Sequence, residues 1–171
     1  MKKTTLLILI ALLIGGPIFI WSGIYNIAAT DKHWAITNLL IEVLRERSIE
    51  VRAEDIVVPD TLQTSDQLSA TAMNYKEMCS TCHLAPGVEM TELHKGLYPQ
   101  PPVFHKAAHK GHDFRDNFWV IKNGIKLTGM PAWGESHTDA EIWALVAFID
   151  RLDKLSPEEY QKLTMNSDDN G

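Results

Sequence analysis

The chain has 171 residues, a length that accommodates one domain and a short accessory segment. Its 16 Lys and Arg residues are outnumbered by 22 Asp and Glu residues, and the formal net charge is −6. A surplus of acid excludes a nucleic-acid reader, because such a protein needs a basic face.

The N-terminal segment is long, apolar and uncharged. No charged residue occurs from Thr4 to Thr30, and such a run can cross a hydrocarbon core of ~30 Å as a helix. Lys2 and Lys3 precede the run and Asp31 follows it, so the positive-inside rule places the N-terminus in the cytoplasm. The exported part then has 14 basic and 22 acidic residues, a net charge of about −8. A cleaved signal peptide is the alternative, but it predicts a shorter apolar core and a small-residue cleavage site.

Residues 1–30 are therefore predicted to be a transmembrane anchor, and residues 31–63 a stalk outside the cytoplasm. A helix is predicted over His33 to Arg47 because its apolar residues recur at helical spacing, at Trp34, Ile36, Leu39, Leu40, Val43 and Leu44. This helix can lie on the bilayer, pack back on the following domain or dock onto a neighbouring subunit, and the sequence leaves all three open. Arg52 to Pro59 is predicted to be an extended tether.

Residues 64–165 are predicted to form an all-helical domain, followed by a disordered tail at 166–171. Its first helix starts with a capping box between Thr64 and Gln67. One face of this helix carries Leu68, Thr71, Tyr75 and Met78. The helix runs directly into the segment Cys79-Ser80-Thr81-Cys82-His83.

That segment is the C-x-x-C-H pattern of c-type haem attachment, and it contains the only two cysteines of the chain. The two thiols can add to the haem vinyl groups, which leaves the adjacent imidazole under the iron as the proximal ligand. A zinc site would need further Cys or His residues at ligand spacing. A thioredoxin-like dithiol would need a βαβ setting and no His directly after the second Cys.

The remaining histidines offer weaker patterns. His105, His109 and His112 stand at i, i+4 and i+7, which would suit a transition-metal site on a helix. Lys residues interleave with them, so a solvated basic face is the alternative. His33, His94 and His137 are predicted to be surface residues. A middle helix is predicted over Phe114 to Asn123, ending at Gly124.

A second iron ligand is predicted in the segment Gly129-Met130-Pro131-Ala132-Trp133. Met130 is predicted to be the sixth ligand, because a thioether raises the potential of a His-ligated haem. Gly129 lets the backbone approach the haem, and Pro131 biases Met130 away from helical conformations. Trp133, like Trp119, can donate its indole N–H to a haem propionate or simply pack in the core. The alternative is that His105, His109 or His112 takes the place of Met130 as the distal ligand, and such a bis-His haem would have a lower potential.

Two short signals close the domain. Thr138 and Glu141 form a capping box for a helix that reaches about Leu152. A further short helix starts from Ser156, with Pro157 at its first position.

With both motifs, residues 64–155 resemble the class I cytochromes c, in particular the small single-haem, membrane-anchored bacterial type. The resemblance implies the all-α class I cytochrome c fold around one covalently attached haem c. It also implies that the first and last helices cross with Tyr75 and Phe148 at the contact. In this family a proline carbonyl accepts the ring N–H of the proximal histidine. Candidates for that proline are Pro86, Pro101 and Pro102, and we expect Pro102.

The predicted cofactor-binding residues are Cys79, Cys82, His83, Met130 and Pro102, with His83 and Met130 as the iron ligands. The resemblance implies an electron carrier of a respiratory chain, with no catalytic residues. It would be a single-pass protein of the bacterial inner membrane with its haem domain in the periplasm. Expected partners are redox proteins and the membrane, with no nucleic acid and no small-molecule substrate. The alternative is a permanent cytochrome subunit of a larger membrane oxidase or dehydrogenase. A gas-binding or peroxidatic protein would need an open sixth position, against which the Met130 loop argues.

Overall fold

The computed structural model describes residues 2–62, 64, 67–106 and 113–165. Within these ranges the regular structure is entirely helical, with no strand, and this agrees with the predicted all-α class. The α-helices are α1 (Lys2–Ser22), α2 (Ala35–Ala53), α3 (Leu68–Met78), α4 (Ser80–His83), α5 (Glu92–Gly96), α6 (Phe114–Asn123), α7 (Asp139–Arg151) and α8 (Pro157–Leu163). The tail predicted at 166–171 lies outside the described residues.

Helix α1 is long and apolar enough to cross a membrane over Lys3–Ser22, and none of that span is buried within the protein. The chain leaves the helix at Gly23, which has a φ of +63°. Glycine adopts this left-handed conformation at no steric cost, so it suits the end of a helix. The structure therefore supports a membrane anchor near the N-terminus.

Helix α2 is displaced from its predicted position over His33 to Arg47. It begins at Ala35 and continues to Ala53, so the tether predicted to start at Arg52 is wrong at its beginning. No Gly or Pro interrupts the segment before Pro59, and burial of Ile49 and Ala53 stabilises the additional turns. Ile56, beyond the helix, also packs against the core. The C-terminal half of α2 thus belongs to the packed domain.

The core forms where α3 crosses α7. The Tyr75 and Phe148 rings meet there with their centroids 5.5 Å apart, as expected for these two positions. Tyr160 from α8 approaches the edge of Tyr75 at 6.4 Å. On the other side of α7, Phe118 of α6 stacks on Trp143 at 4.2 Å. These aromatic contacts join α3 and α6 to α7 and α8 to α3, and the attachment segment follows α3 directly.

The helix ends follow the sequence signals in three of four cases. Thr138 and Ser156 each make a full capping box, and Gly124, with a φ of +66°, ends α6. The start of α3 differs. The Gln67 side chain accepts a hydrogen bond from the Thr64 N–H at 3.1 Å, but the α-helix begins only at Leu68.

Candidate functional site

The attachment segment folds as one helical turn joined end to end with α3. The Cys79 N–H donates to the Tyr75 carbonyl at 2.9 Å, and the His83 N–H donates to the Cys79 carbonyl at 2.8 Å. Cys79 and Cys82 are free thiols, and both are half-buried. Burial, together with the neighbouring Cys82, raises the pKa of the Cys79 thiol to about 12. A redox-active dithiol requires a depressed thiol pKa, so this environment opposes thioredoxin-like chemistry.

His83 is held by two contacts from the loop that follows α5. Its Nδ1 donates to the Pro102 carbonyl oxygen at 2.9 Å, since a carbonyl can only accept. The donated proton on Nδ1 makes Nε2 the nitrogen that can bind a metal. The Phe104 ring stacks on the imidazole at 4.3 Å, with the two planes only 10° apart. The contact with Pro102 is the one expected from the sequence, and its role in haem binding stays a prediction.

A second set of contacts holds the carbonyl end of α4. The Thr91 hydroxyl donates to the Thr81 carbonyl, and Nδ1 of His94 donates to the Cys82 carbonyl at 2.6 Å. These carbonyls lie in the last turn of α4, where a helix leaves its acceptors without intrahelical partners. His94 is only 2% exposed, so its predicted place on the surface is wrong. The sequence held one signal for this arrangement, because Thr91 is the N-cap of α5 and His94 is three residues later.

The backbone turns sharply just after the motif. Leu84 has a φ of +58°, a conformation that non-glycine residues rarely adopt. Its side chain is buried, and its carbonyl accepts the Tyr75 hydroxyl at 2.7 Å. Tyr75 therefore has two roles, as a core aromatic and as the donor that holds this turn. The sequence predicted only the first.

The Met130 loop is closed by its own backbone. The Ile125 N–H donates to the Met130 carbonyl at 3.2 Å, and the Met130 N–H donates to the Thr128 hydroxyl at 3.1 Å. A Cβ on Gly129 would lie 2.7 Å from Cδ2 of Leu97. Gly129, which is predicted to let the backbone approach the haem, therefore also packs closely against Leu97, at the start of the loop that leads to Pro102.

The two halves of the predicted site border one core. Cys79, Phe104, Met130 and Trp133 are partly buried and pack against the same hydrophobic cluster. The donor set consists of two reduced thiols, an imidazole oriented by a carbonyl and a thioether on an apolar loop. This set fits a covalently attached haem with one nitrogen and one sulfur ligand. The contact of Trp119 or Trp133 with a haem propionate stays a prediction.

The alternative histidine cluster gains no support within the described residues. Of its members only His105 is described, since His109 and His112 lie outside those ranges. The pKa of His105 is lowered mainly by burial and to a smaller extent by the positive charge of the nearby Lys106. Among the residues that the structure describes, no group of three or more His, Cys, Asp or Glu side chains could hold a metal ion.

One family model matches part of the chain. Residues 66–149, slightly less than half of the chain, match the family model described as cytochrome c oxidase, cbb3-type, subunit III. The matched segment includes α3, the attachment motif, the loop with Pro102, Met130 and most of α7. No curated protein matches the chain.

Proposed function

Since residues 66–149 form a cytochrome c domain, which implies covalently bound haem c, we propose that the protein is a membrane-anchored carrier of single electrons in a respiratory chain. Cys79 and Cys82 would bind one haem covalently, and His83 and Met130 would ligate its iron. When bound, the haem supplies a one-electron couple at that iron.

The observation that carries this proposal is the hydrogen bond from the imidazole of His83, the last residue of the attachment motif, to the Pro102 carbonyl. It fixes the tautomer that presents Nε2, and it limits rotation of the ring. Stacking on Phe104 restrains the ring further. A preset imidazole needs little rearrangement when the iron changes charge, and this suits electron transfer more than substrate chemistry.

Met130 supplies the second half of the proposal. A thioether is a soft ligand that favours the reduced iron and raises the potential. The Met130 carbonyl accepts from the Ile125 N–H and the Met130 N–H donates to the Thr128 hydroxyl, so both backbone polar groups of Met130 are held within the loop. A closed loop keeps the sulfur in place, so the sixth position would not be available to small molecules.

The anchor gives the proposed location. Lys2 and Lys3 stand before the apolar span, and the first charge after it is Asp31. The positive-inside rule then places the haem domain in the periplasm of a bacterium, held by one uncleaved pass through the inner membrane.

A second function is a permanent cytochrome subunit of a larger membrane redox enzyme. The description of the matching family favours it, because that model is named for a subunit of an oxidase. In this case the same His83 and Met130 would pass electrons within a stable assembly.

Mild solubilisation followed by size separation tests the carrier against the subunit. Haem absorbance should elute as a lone small species if the protein is a carrier. Co-elution with other redox subunits, lost in a harsher detergent, would overturn the carrier in favour of the subunit. The harsher detergent serves as the control because it shows where the dissociated protein elutes.

A further inference from the structure

Helix α2 has two apolar faces, and its own domain covers only one. Ile49 and Ala53, near its C-terminal end, are buried, and α2 packs there against α6. The other face is what we term the outer stripe, five aliphatic side chains that are each more than half exposed: Ile36, Leu39, Leu40, Val43 and Leu44.

The outer stripe faces away from the haem domain. Successive residues of an α-helix are rotated by about 100°, so Leu40 and Ile49 project on opposite sides of α2. Leu44 and Ala53 are likewise opposite, whereas Leu39 at the edge of the stripe lies only about 40° from Ala53. The centre of the stripe, at Leu40 and Leu44, is therefore not a misplaced part of the domain core. An exposed apolar face of this extent on a soluble domain marks a surface that something else covers.

The start of α2 lies beside the end of the membrane helix. Trp34, directly before α2, meets Phe19 in the last turn of α1 with 6.0 Å between ring centroids, and it meets Tyr25 at 5.0 Å. Trp and Tyr are enriched at the level of lipid headgroups. Exposed Ile24 and Ile27 continue the apolar surface through the linking segment.

Distance along the helix keeps the stripe near that level. Leu40 is only ~9 Å from Trp34 along the axis at 1.5 Å per residue, and Leu44 is ~15 Å away. The interfacial layer of one leaflet is itself about 5–8 Å thick. If α2 runs along the bilayer plane, the whole stripe stays within that layer, whereas along the bilayer normal Leu44 would lie outside it.

The stripe also becomes charged as the distance from the anchor grows. Arg47 and Glu50 occupy the next positions on the same side of the helix and form an ion pair with each other. Val51, which is 57% exposed, lies beyond them on the same side, so the apolar surface is dense near the anchor and interrupted by charge farther from it. Such thinning of the apolar surface with distance from the anchor is what the edge of a bilayer favours.

We propose that the outer stripe of α2 lies on the lipid bilayer as an interfacial helix and so fixes the haem domain against the membrane. This inference rests on the anchor in the proposed function. Its physical consequence is that the domain is held at two places, by α1 and by α2, so its range of orientations is narrowed.

Site-directed spin labelling of the full-length holoprotein tests this surface. The only two native cysteines are the ones expected to bind haem, so an introduced cysteine would be the single reactive thiol. Leu40→Cys places the label on the stripe, and Glu42→Cys is the matched control, exposed on the other side of the same turn. Both variants are reconstituted in nanodiscs of phosphatidylcholine and phosphatidylglycerol, and an unchanged haem spectrum verifies folding.

At residue 40 we expect the ratio of collision with oxygen to collision with a water-soluble nickel chelate to be several-fold higher than at residue 42. Equal ratios on a protein that remains in the disc would overturn the outer stripe as a lipid contact and leave the anchor intact. A label at residue 40 shielded from both reagents would also overturn it, in favour of a protein partner or a second copy. A protein that fails to stay in the disc would overturn the anchor and the inference together.

Discussion

His83 is oriented by residues that are distant in sequence but adjacent in space. Pro102 accepts from its ring, Phe104 stacks on it, and His94 holds the Cys82 carbonyl one residue before it. The motif alone would supply the ligand, but these three residues supply its direction. Orientation of a ligand by such partners is as much part of a metal site as the ligand itself.

Loss of His94 should destabilise the haem-loaded protein. In His94→Ala the Cys82 carbonyl loses its donor in a partly buried position, which costs about 0.5–1.5 kcal/mol. His94→Asn should recover part of this loss, because an amide can still donate. Chemical denaturation followed by haem absorbance measures the effect. His137→Ala, at a half-exposed histidine, is the control, and equal stability of His94→Ala and His137→Ala would contradict the role of His94.

The sequence predicted Pro102 but misplaced His94, and the two cases differ physically. Pro102 stands in a loop that the family resemblance identifies. Its contact uses the backbone carbonyl, and the resemblance already implies a proline carbonyl as the acceptor. The burial of His94 depends on where α5 packs against α4. That packing is a tertiary contact, and α5 has only five residues, which are too few to show an apolar periodicity.

At the level of elements, local capping signals determined where α7 and α8 begin, whereas tertiary packing determined where α2 ends. Thr138 and Ser156 cap their helices as the sequence predicts, because capping depends on residues three apart. Helix α2 extends past its predicted end because burial of Ile49 and Ala53 adds stability that periodicity alone does not reveal.

The cap of α7 should make part of the stability sensitive to acid. Hydrogen bonds from the backbone N–H and then the hydroxyl of Thr138 lower the pKa of Glu141. A carboxyl with a lowered folded pKa stabilises fully above its ordinary pKa, and the contribution is lost as the pH falls through the lowered one. Glu141→Gln should therefore be less stable than the native protein at neutral pH. Denaturation at neutral pH and at about pH 3 should show this difference shrinking in acid, and a constant difference would contradict it.

The Thr138 hydroxyl is the other partner of this capping box, and its removal can be tested separately. Thr138→Ala should cost about 1 kcal/mol at neutral pH, the usual value for an N-cap hydroxyl. Ser156→Ala, at the capping box of the shorter α8, provides the matched comparison in the same denaturation assay. No change in either variant would mean that packing of these helices outweighs their caps.

At the scale of the whole molecule, the described residues comprise an N-terminal apolar helix, a helix with two apolar faces and a helical domain with the segment that matches the cytochrome family model. The sequence predicted the anchor and the domain because each has a strong signal, an uncharged apolar run and two motifs. It left the position of α2 open among three environments, because an amphipathic stripe does not say what covers it. The structure shows that the domain covers one face, and it leaves the other exposed.

The uncleaved anchor predicts the mass of the mature protein. Retention of α1 requires a mass that includes Lys2 and Lys3 together with one haem, and the protein should sediment with membranes. A mature N-terminus near Thr30 or Asp31 would show instead that the segment is a signal peptide and that the carrier diffuses freely. Intact-mass spectrometry of the purified holoprotein decides between them.

The central claim is that His83 and Met130 ligate one haem in an electron carrier, and the spectrum of Met130→Ala tests it most directly. The native oxidised protein should show the weak charge-transfer band from sulfur to iron at the red end of the visible range. Met130→Ala should lose the band and have a lower potential, because the thioether favours the reduced iron. Met90→Ala, at an exposed methionine, should keep both properties. A band that persists unchanged in Met130→Ala would contradict the assignment of Met130.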